Sequence, residues 1–211
     1  MVFAKAPTPG RVKSRLIPVL GEAAAAELHR QLAERTLVTA LAAGPGEVEL
    51  WCAPGTNDAF FAACAKQHGV SLRAQGEGDL GVRMARALEL ALAEGSPGLL
   101  IGSDCPALTA DYLREAAAGL GGGNDAVFGP AEDGGYVLIG LARRPSALLF
   151  KGIAWGTATV MQETRKRLAR LNWRWRELAT LWDVDRPEDL LRLARLRGEC
   201  IGDGLNPGGH E

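Results

Sequence analysis

Cysteines, histidines and long apolar runs are all scarce in this sequence, and each shortage argues against a class of structure or site. The four cysteines lie far apart and form no Cys-x-x-Cys pair, which is typical of reduced thiols rather than of a disulfide framework. His29, His68 and His210 stand far from the polar motifs, so we expect surface positions and neither a histidine-based triad nor a zinc site. No apolar run approaches the roughly 20 residues that a membrane-spanning helix needs.

A strong charge of either sign is missing as well. The 24 Lys and Arg residues nearly balance 25 Asp and Glu residues, for a formal net charge of -1. This balance gives no support to binding of nucleic acid or of an anionic membrane. The basic run 165–176 is expected to be a solvated helix end. The N-terminus has no leader-like apolar segment, so we expect a soluble, cytoplasmic protein with no nucleic-acid and no membrane partner.

Short apolar runs alternate with longer amphipathic segments along the chain. This rhythm predicts an α/β protein with three α/β/α layers, in which helices cover both faces of a mostly parallel, Rossmann-like sheet. The predicted strands are residues 1–4, 48–52, 70–74, 99–101, 126–128, 136–139 and 173–178. The main predicted helices are residues 21–43, 80–94, 110–120 and 157–171, with others ending at Gly69 and starting near Pro187. We expect one domain over residues 1–197 and a loose, glycine-rich tail over residues 198–211.

A loop dense in cations follows the first predicted strand. Lys5, Arg11, Lys13 and Arg15 fall within eleven residues, at the sheet edge where α/β proteins bind ligands. Lysine and arginine supply the charges that phosphates require, and Gly10 lets the backbone approach an anion. The loop matches neither a Walker A sequence nor a G-x-G-x-x-G turn, so it favours phosphate binding by another fold, with a solvated basic loop as the alternative. We expect Lys13 and Arg15 to be exposed and to matter to phosphates rather than to stability.

Two aspartates stand where either a metal ligand or a structural residue would fit. Asp104 follows the apolar run 99–101 and is either a ligand for a hard divalent ion or a turn-forming residue before Pro106. Asp185 and Glu188 have the spacing of a helix capping box, which favours a cap, with a metal site as the alternative.

An acidic glycine turn, residues 132–135, separates two predicted strands. It is either a plain hairpin connection or a loop that faces an acceptor, in which one carboxylate serves as a base. Trp155 is a candidate wall of the same pocket, with a plain core position as the alternative.

Taken in order, these motifs resemble a bacterial family of transferases of the GT-A (nucleotide-diphospho-sugar transferase) superfamily. That family is associated with radical-SAM and selenodomain proteins and is linked by name to arsenosugar biosynthesis. The chain is similar, more distantly, to the guanylyltransferases that activate phospholactate and build molybdenum guanine dinucleotide. The resemblance spans about residues 1–190 and is carried by the segments 3–16, 75–84, 102–106, 132–136, 155–157 and 183–190.

The resemblance implies a GT-A fold, a divalent ion (Mg²⁺ or Mn²⁺), a bound nucleotide or nucleotide-sugar and a small-molecule acceptor. The implied catalytic residues are Lys13, Asp104 and Asp133. The implied metal ligands are Asp104, Asp185 and, with a weaker match, Asp183. The implied nucleotide-binding residues are Ala4, Lys5, Pro7, Gly10, Lys13, Arg15, Gln75, Gly76, Gly81, Arg83 and Ser103. The implied acceptor pocket consists of Glu132, Asp133, Gly134, Gly135, Tyr136 and Trp155.

Three functions remain open at this point. Glycosyl transfer from a nucleoside-diphosphate sugar to a small acceptor is the activity that the family name suggests. Nucleotidyl transfer from a nucleoside triphosphate to a phosphorylated small molecule agrees better with the Lys13/Arg15 loop and with a lone Asp104. Glycosyltransferases of this fold usually have Asp-x-Asp at this strand end, whereas Cys105 and Pro106 follow Asp104. A non-catalytic nucleotide-binding protein with the same pocket is the third.

Overall fold

The computed structural model describes residues 1–44 and 46–198. Within these residues, seven strands form one sheet and eight α-helices flank it. The strands are β1 Val2–Lys5, β2 Glu49–Ala53, β3 Ser71–Ala74, β4 Gly98–Gly102, β5 Ala126–Pro130, β6 Tyr136–Leu141 and β7 Trp175–Glu177. The helices are α1 Ile17–Leu20, α2 Glu22–Ala43, α3 Ala59–His68, α4 Leu80–Ala93, α5 Ala110–Gly121, α6 Ala147–Phe150, α7 Val160–Arg170 and α8 Pro187–Arg197.

The sheet is mostly parallel, as predicted. Its strand order is β3-β2-β1-β4-β6-β5-β7, and only β6 runs antiparallel to its neighbours β4 and β5. β1 is an interior strand, paired with β2 on one side and with the central strand β4 on the other. The carboxyl ends of β1 and β4 therefore lie side by side, and the loops that follow them meet at one edge of the sheet.

Two apolar clusters fill the space between the sheet and its two helix layers. Alternate residues of β1 point to opposite faces, so Val2 and Ala4 belong to one cluster and Phe3 to the other. The first cluster packs α2, α3 and α5 on the sheet, and the second packs α4, α6 and α7 on the opposite face. This arrangement confirms the predicted three-layer α/β/α fold.

Most helices begin and end at the signals that their sequences carry. The carboxylates of Asp58 and Asp79 accept hydrogen bonds from backbone amides in the first turns of α3 and α4, and Thr109 does the same for α5. Gly69 and Gly198 end α3 and α8 in the left-handed conformation that glycine adopts at little cost. Of the expected C-terminal tail, only Gly198 lies inside the described residues.

A third, smaller apolar cluster supports the end of the sheet where the polar motifs lie. It joins the segment after β1 to α2, to the stretch 182–184 and to α8 through Leu16, Leu28, Leu32, Trp182, Val184 and Leu193, all of them buried. Residues far apart in the chain are thereby held against one another at this edge. In the part of the chain that the structure describes, no helix is long and apolar enough to cross a membrane.

Candidate active site

Lys13 lies in the cation-rich loop after β1 but is buried, in contrast to the exposed position that the sequence predicts. Its backbone is left-handed, with φ of 49°, and it opens a short 3₁₀ turn, Ser14–Leu16, whose Leu16 anchors the loop in the third cluster. The Nζ atom lies 2.7 Å from Asp104 Oδ1 and donates a hydrogen bond of 2.6 Å to the carbonyl oxygen of Val184. The expectation of a solvated Lys13 is wrong because two acceptors of the folded chain draw its ammonium group inward.

Val184 is the residue through which the loop after β4 contacts the C-terminal part of the chain. Its backbone N–H donates to the carbonyl oxygen of Asp104 at 3.0 Å, while its own carbonyl oxygen accepts from Lys13. Its side chain is fully buried in the third cluster. Asp183 and Asp185 flank this fixed residue, so the fold carries both carboxylates to the end of β4.

Asp185 does not cap a helix, and the predicted capping box with Glu188 is wrong. Because Pro187 occupies the first position of α8, the N-cap is the residue directly before it, Arg186. The carboxylate that serves the helix start belongs to Asp189, whose Oδ2 accepts from the backbone N–H groups of Arg186 and Asp185 at 2.7 and 2.9 Å. The carboxylate of Asp185 is instead paired with the guanidinium group of Arg15. Arg15 is exposed, as predicted.

The carboxylates at this edge influence one another strongly. Burial and the negative charges of Asp104, Asp133 and Asp185 raise the pKa of Asp183 to about 7, although Lys13 acts in the opposite direction. At Asp104 burial also raises the pKa, but the charge of Lys13 and the contact with His29 outweigh it and hold that pKa well below its usual range. The charges of Asp104, Asp133 and Asp185 thus all act on Asp183, whereas Lys13 pairs with Asp104 and Arg15 pairs with Asp185. The surplus of negative charge favours binding of a cation.

The donor set fits a hard divalent ion. Asp104, Asp183 and Asp185 offer only carboxylate oxygens, the ligand type that Mg²⁺ and Mn²⁺ prefer. Among the described residues, no group of three or more His, Cys, Asp or Glu side chains is arranged so that it could hold a metal ion by itself. Mg²⁺ is usually held by one or two carboxylates together with water and substrate phosphates, so an incomplete protein site suits it.

His29 is a member of this site that the sequence analysis placed on the surface. It is buried on the inner face of α2, with Nε2 3.0 Å from the carbonyl oxygen of Lys5 and Nδ1 3.5 Å from Asp104 Oδ1. The expectation of a distant, exposed histidine is wrong, because α2 packs directly beside the carboxyl ends of β1 and β4. His68 is partly buried at the end of α3, and His210 lies outside the described residues.

Side-chain hydrogen bonds fix the predicted nucleotide-binding loop between β3 and α4, residues 75–79. The Gln75 side chain is buried and donates to the carbonyl oxygens of Ala4 and Trp51 at 3.2 and 2.9 Å. Arg86 donates to the Gln75 carbonyl oxygen at 3.0 Å, and Arg83 donates to that of Gly78 at 2.9 Å. The loop that starts beside β1 is therefore a fixed part of the same sheet edge.

Other residues predicted to contact a nucleotide lie around this edge with different exposure. Ser103 is buried directly before Asp104, and Gly10 is exposed with φ of 75°. Gly76 also has a left-handed φ of 76°, and a Cβ there would meet the Arg86 guanidinium group at 2.1 Å. Pro7 is partly buried and Lys5 exposed. A contact between any of these residues and a nucleotide remains a prediction.

The acidic glycine turn is the connection of the β5–β6 hairpin, and its carboxylates face different partners. Glu132 forms two hydrogen bonds, of 2.7 and 3.0 Å, with the guanidinium group of Arg192 on α8. Asp133 accepts from the backbone N–H of Gly135 and contributes to the raised pKa of Asp183. Asp133 therefore joins the carboxylate cluster, whereas Glu132 ties the hairpin to α8.

An aromatic group adjoins the hairpin on the face covered by α4 and α7. The ring of Tyr136 makes edge contacts with Phe128 and Trp155, at centroid distances of 5.3 and 6.3 Å. The indole N–H of Trp155 is buried and has no hydrogen-bond partner among the described residues. Gly81, in the first turn of α4, lies directly against that indole, so a Cβ on it would stand 2.6 Å from the ring and 2.9 Å from the Phe150 carbonyl oxygen. Gly81 thus packs beneath the predicted acceptor pocket.

We expect Gly81→Ala to destabilise the protein. The added methyl group meets a ring and a backbone carbonyl that cannot both move aside, and overpacking of this kind lowers the free energy of unfolding by about 1–3 kcal/mol. The melting temperature should fall by roughly 2–12 °C. Gly121→Ala in α5 is the matched control, because nothing lies within 4 Å of a Cβ there. Equal melting temperatures for the two variants would contradict the predicted contact with Trp155.

Several cations in the basic run of α7 and β7 have partners within the chain. Arg165 pairs with Glu177 through hydrogen bonds of 2.9 and 2.6 Å, and Arg176 pairs with Glu115. Arg167 donates to the carbonyl oxygens of Leu148 and Lys151. These contacts are the ones that a solvated, structural helix end makes.

Comparison with known proteins identifies the family of this chain. The family model described as "Uncharacterized protein conserved in bacteria (DUF2064)" matches residues 36–157, more than half of the 211 residues. The chain belongs to the DUF2064 family. None of the curated proteins matches the sequence.

Several solved structures similar to this DUF2064 protein are transferases or synthases by name. A Desulfovibrio desulfuricans G20 protein, assigned as a nucleotide-diphospho-sugar transferase, is 34% identical, with a TM-score of 0.82 over 93% of this chain and 85% of that one. A nucleotidyl transferase from Methanothermobacter thermautotrophicus is 16% identical, with a TM-score of 0.59 over 94% and 97% of the two chains. Glucosyl-3-phosphoglycerate synthase from Mycobacterium tuberculosis, solved with Mn²⁺ and UDP, is 15% identical, with a TM-score of 0.54 over 96% and 80%. The DUF2064 protein therefore has the predicted fold of the nucleotide-diphospho-sugar transferase type.

Proposed function

We propose that this DUF2064 protein is a divalent-metal-dependent transferase that binds a nucleoside-diphosphate sugar and passes its sugar to a small acceptor. The observation that carries the proposal is a group of carboxylates at the carboxyl edge of the sheet, in which Asp104, paired with Lys13, acts on Asp183 together with Asp133 and Asp185. A cluster of carboxylates next to a loop rich in cations is suited to a metal ion bound together with a diphosphate.

The similar solved structures support this reading. The relative at 34% identity is assigned as a nucleotide-diphospho-sugar transferase. The glucosyl-3-phosphoglycerate synthase was solved with Mn²⁺ and UDP, a metal ion and a nucleotide of the kinds proposed here. The narrower resemblance to the radical-SAM-associated, arsenosugar-type family stays a prediction.

The side chains of the site suit different steps of sugar transfer from a nucleoside-diphosphate sugar. Asp104 and Asp185, with Asp183 beside them, would hold the divalent ion, which neutralises the charge that builds on the leaving diphosphate. Lys13 and Arg15 would add positive charge at the same phosphates. Asp133 would accept the proton of the acceptor hydroxyl, because it stands on the exposed hairpin at the rim of the carboxylate cluster. Tyr136 and Trp155 would form the apolar wall behind the acceptor.

Nucleotidyl transfer from a nucleoside triphosphate is the second candidate, and one arrangement favours it. The backbone contact between Asp104 and Val184 brings the remote pair Asp183 and Asp185 beside the lone aspartate after β4. The resemblance assigns the second metal-binding position of nucleotidyltransferases to Asp185. A nucleotidyl transferase is also among the similar folds.

A thermal-shift screen with Mn²⁺ or Mg²⁺ tests the proposal. Nucleoside-diphosphate sugars and nucleoside triphosphates of each base are tested with and without the ion, and a ligand at 100 times its Kd should raise the melting temperature by roughly 5–10 °C. The best ligand is then incubated with the protein, and its product decides the reaction. Release of a nucleoside diphosphate indicates glycosyl transfer, and release of pyrophosphate indicates nucleotidyl transfer.

The controls separate binding from chemistry. A shift that persists in EDTA would contradict the metal dependence, and the absence of a shift with every nucleotide would overturn the proposed function. A metal-dependent shift without turnover across a panel of acceptors would identify a non-catalytic nucleotide-binding protein instead.

A further inference from the structure

The chain has two tyrosines, both mostly buried, but only one of them uses its hydroxyl group within the fold. The Tyr112 hydroxyl, on α5, donates a hydrogen bond of 2.7 Å to the carbonyl oxygen of Ala179. The Tyr136 hydroxyl, at the start of β6, has no hydrogen-bond partner within residues 1–44 and 46–198. Because a polar group that loses water without gaining a partner does not stabilise a fold, the oxygen of Tyr136 contributes nothing to stability.

The indole group beside Tyr136 repeats this pattern. The Trp155 ring stands perpendicular to the Tyr136 ring at a centroid distance of 6.3 Å, and its buried N–H has no partner in the described part of the chain. By contrast, the indole N–H groups of Trp51 and Trp175 each donate to a carboxylate two residues away along the chain. Donors that a fold leaves unused are candidates for contact with a ligand, and two of them meet here.

The start of β6 lies beside the candidate active site. β6 pairs antiparallel with β4, so its first residue, Tyr136, stands at the carboxyl end of β4, which Asp104 follows. Tyr136 is also only three residues after Asp133, the proposed base, at the same hairpin. Edge contacts with the rings of Phe128 and Trp155 hold the phenol in place, so its oxygen has a defined position at this edge.

The chemistry around this oxygen favours a neutral ligand group. Burial alone raises the pKa of the Tyr136 phenol, and no charged side chain of the described residues shifts it further. The phenol therefore stays protonated and can both donate and accept a hydrogen bond, which matches a hydroxyl group of a ligand. A phosphate or carboxylate placed here would lose water without gaining a cation, which is costly.

We propose that Tyr136 is a specificity-determining residue, whose hydroxyl group forms a hydrogen bond with a hydroxyl group of a neutral sugar or polyol in the predicted acceptor pocket. This inference rests on the proposed function, in which that hydroxylated group belongs either to the transferred sugar or to the acceptor. The ring of Tyr136 remains part of the apolar wall, and only its oxygen has a further role. A site that uses a hydrogen bond in this way discriminates against analogues that lack the hydroxyl group.

Tyr136→Phe removes the oxygen and keeps the ring, and Tyr112→Phe is the matched control. Without ligand, Tyr136→Phe should melt at or above the parental temperature, whereas Tyr112→Phe should melt lower because the Ala179 carbonyl oxygen loses its donor. Dissociation constants are then measured in Mn²⁺ for the nucleoside diphosphates of each base and for their hexose derivatives. The value of kcat/KM is measured for a panel of neutral and phosphorylated sugars and polyols as acceptors.

The two sources of the hydroxyl group give different results. If it belongs to the transferred sugar, Tyr136→Phe should bind the nucleoside-diphosphate hexose about 3–10-fold more weakly and the plain nucleoside diphosphate as tightly as the parent. If it belongs to the acceptor, both affinities should stay parental, and kcat/KM for neutral acceptors should fall by about the same factor. Tyr112→Phe should show neither change.

Parental values in all of these measurements, a loss confined to phosphorylated acceptors, or an equal loss of affinity for the plain nucleoside diphosphate would overturn the inference and leave the proposed function intact. A ligand-free Tyr136→Phe variant that melts below the parent would also overturn it, since the hydroxyl group would then serve the fold. A parent that binds no nucleotide would overturn the proposed function and this inference together.

Discussion

Asp104→Asn should lower metal-dependent turnover by at least about 100-fold. Asparagine has nearly the same size but replaces an anionic oxygen with an amide, which is a poor ligand for a hard divalent ion. The change also removes the negative charge that Lys13 faces at 2.7 Å, so the ammonium group in the loop after β1 loses its charged partner. The measurements are the initial rate with the best nucleotide at saturating Mn²⁺ and the affinity for Mn²⁺ itself.

Asp111→Asn is the matched control for this prediction. Asp111 lies in the first turn of α5, its side chain is 91% exposed, and its carboxylate pairs only with the neighbouring Arg114 among the described residues. Its loss should leave turnover and Mn²⁺ affinity unchanged. If Asp104→Asn also kept the parental rate and affinity, Asp104 would be a turn residue before Pro106 and not a metal ligand.

The sheet and its main helices could be predicted because their signals are local. Each strand lies within two residues of its predicted bounds, since short apolar runs between turn residues form buried strands. The helix caps Asp79 and Thr109 likewise act within one turn of their own position. The helices Ile17–Leu20 and Ala147–Phe150 were missed, because four residues are too few to show a helical period.

The site was harder to predict because its contacts join distant parts of the chain. Lys13 and Val184 are 171 residues apart, and Arg15 and Asp185 are 170 apart. A sequence shows which side chains are charged, but the burial of Lys13 depends on acceptors that only the folded chain brings near. The charge pattern therefore predicts a phosphate-binding loop but does not predict that one of its cations, Lys13, is buried and also links the loop to Val184.

Two of the errors had signals in the sequence that could have corrected them. His29 lies four residues after Ala25 and three and four residues before Leu32 and Ala33, all of them buried, so helical periodicity places it on the inner face of α2. Pro187 favours the first position of a helix, which makes the preceding Arg186 the cap and frees Asp185. Both rules apply to the sequence alone. The wrong predictions arose because His29 was judged by its distance along the chain from the polar motifs, and Asp185 by its spacing from Glu188.

Lys13→Ala and Arg15→Ala should differ in stability, although both are expected to weaken nucleotide binding. In Lys13→Ala the buried carbonyl oxygen of Val184 loses its ammonium donor, and an acceptor left unsatisfied lowers the free energy of unfolding by about 1–3 kcal/mol. The melting temperature should fall by roughly 2–12 °C. The ion pair with Asp104 adds less to this loss: Asp104 Oδ1 is buried, but the side chain as a whole is 46% exposed, so water can solvate the carboxylate once Lys13 is removed.

Arg15→Ala is the matched variant in the same loop. Arg15 is 59% exposed and its partner Asp185 is 47% exposed, so the change should alter the free energy of unfolding by no more than about 0.5 kcal/mol. The two variants are compared by thermal melting without ligand and by titration with the best nucleotide in Mn²⁺. A Lys13→Ala variant that melts with the parent would contradict the contact with Val184. The placement of Asp183 and Asp185 beside Asp104 would then depend on the Asp104–Val184 backbone bond and the packing of Val184 alone.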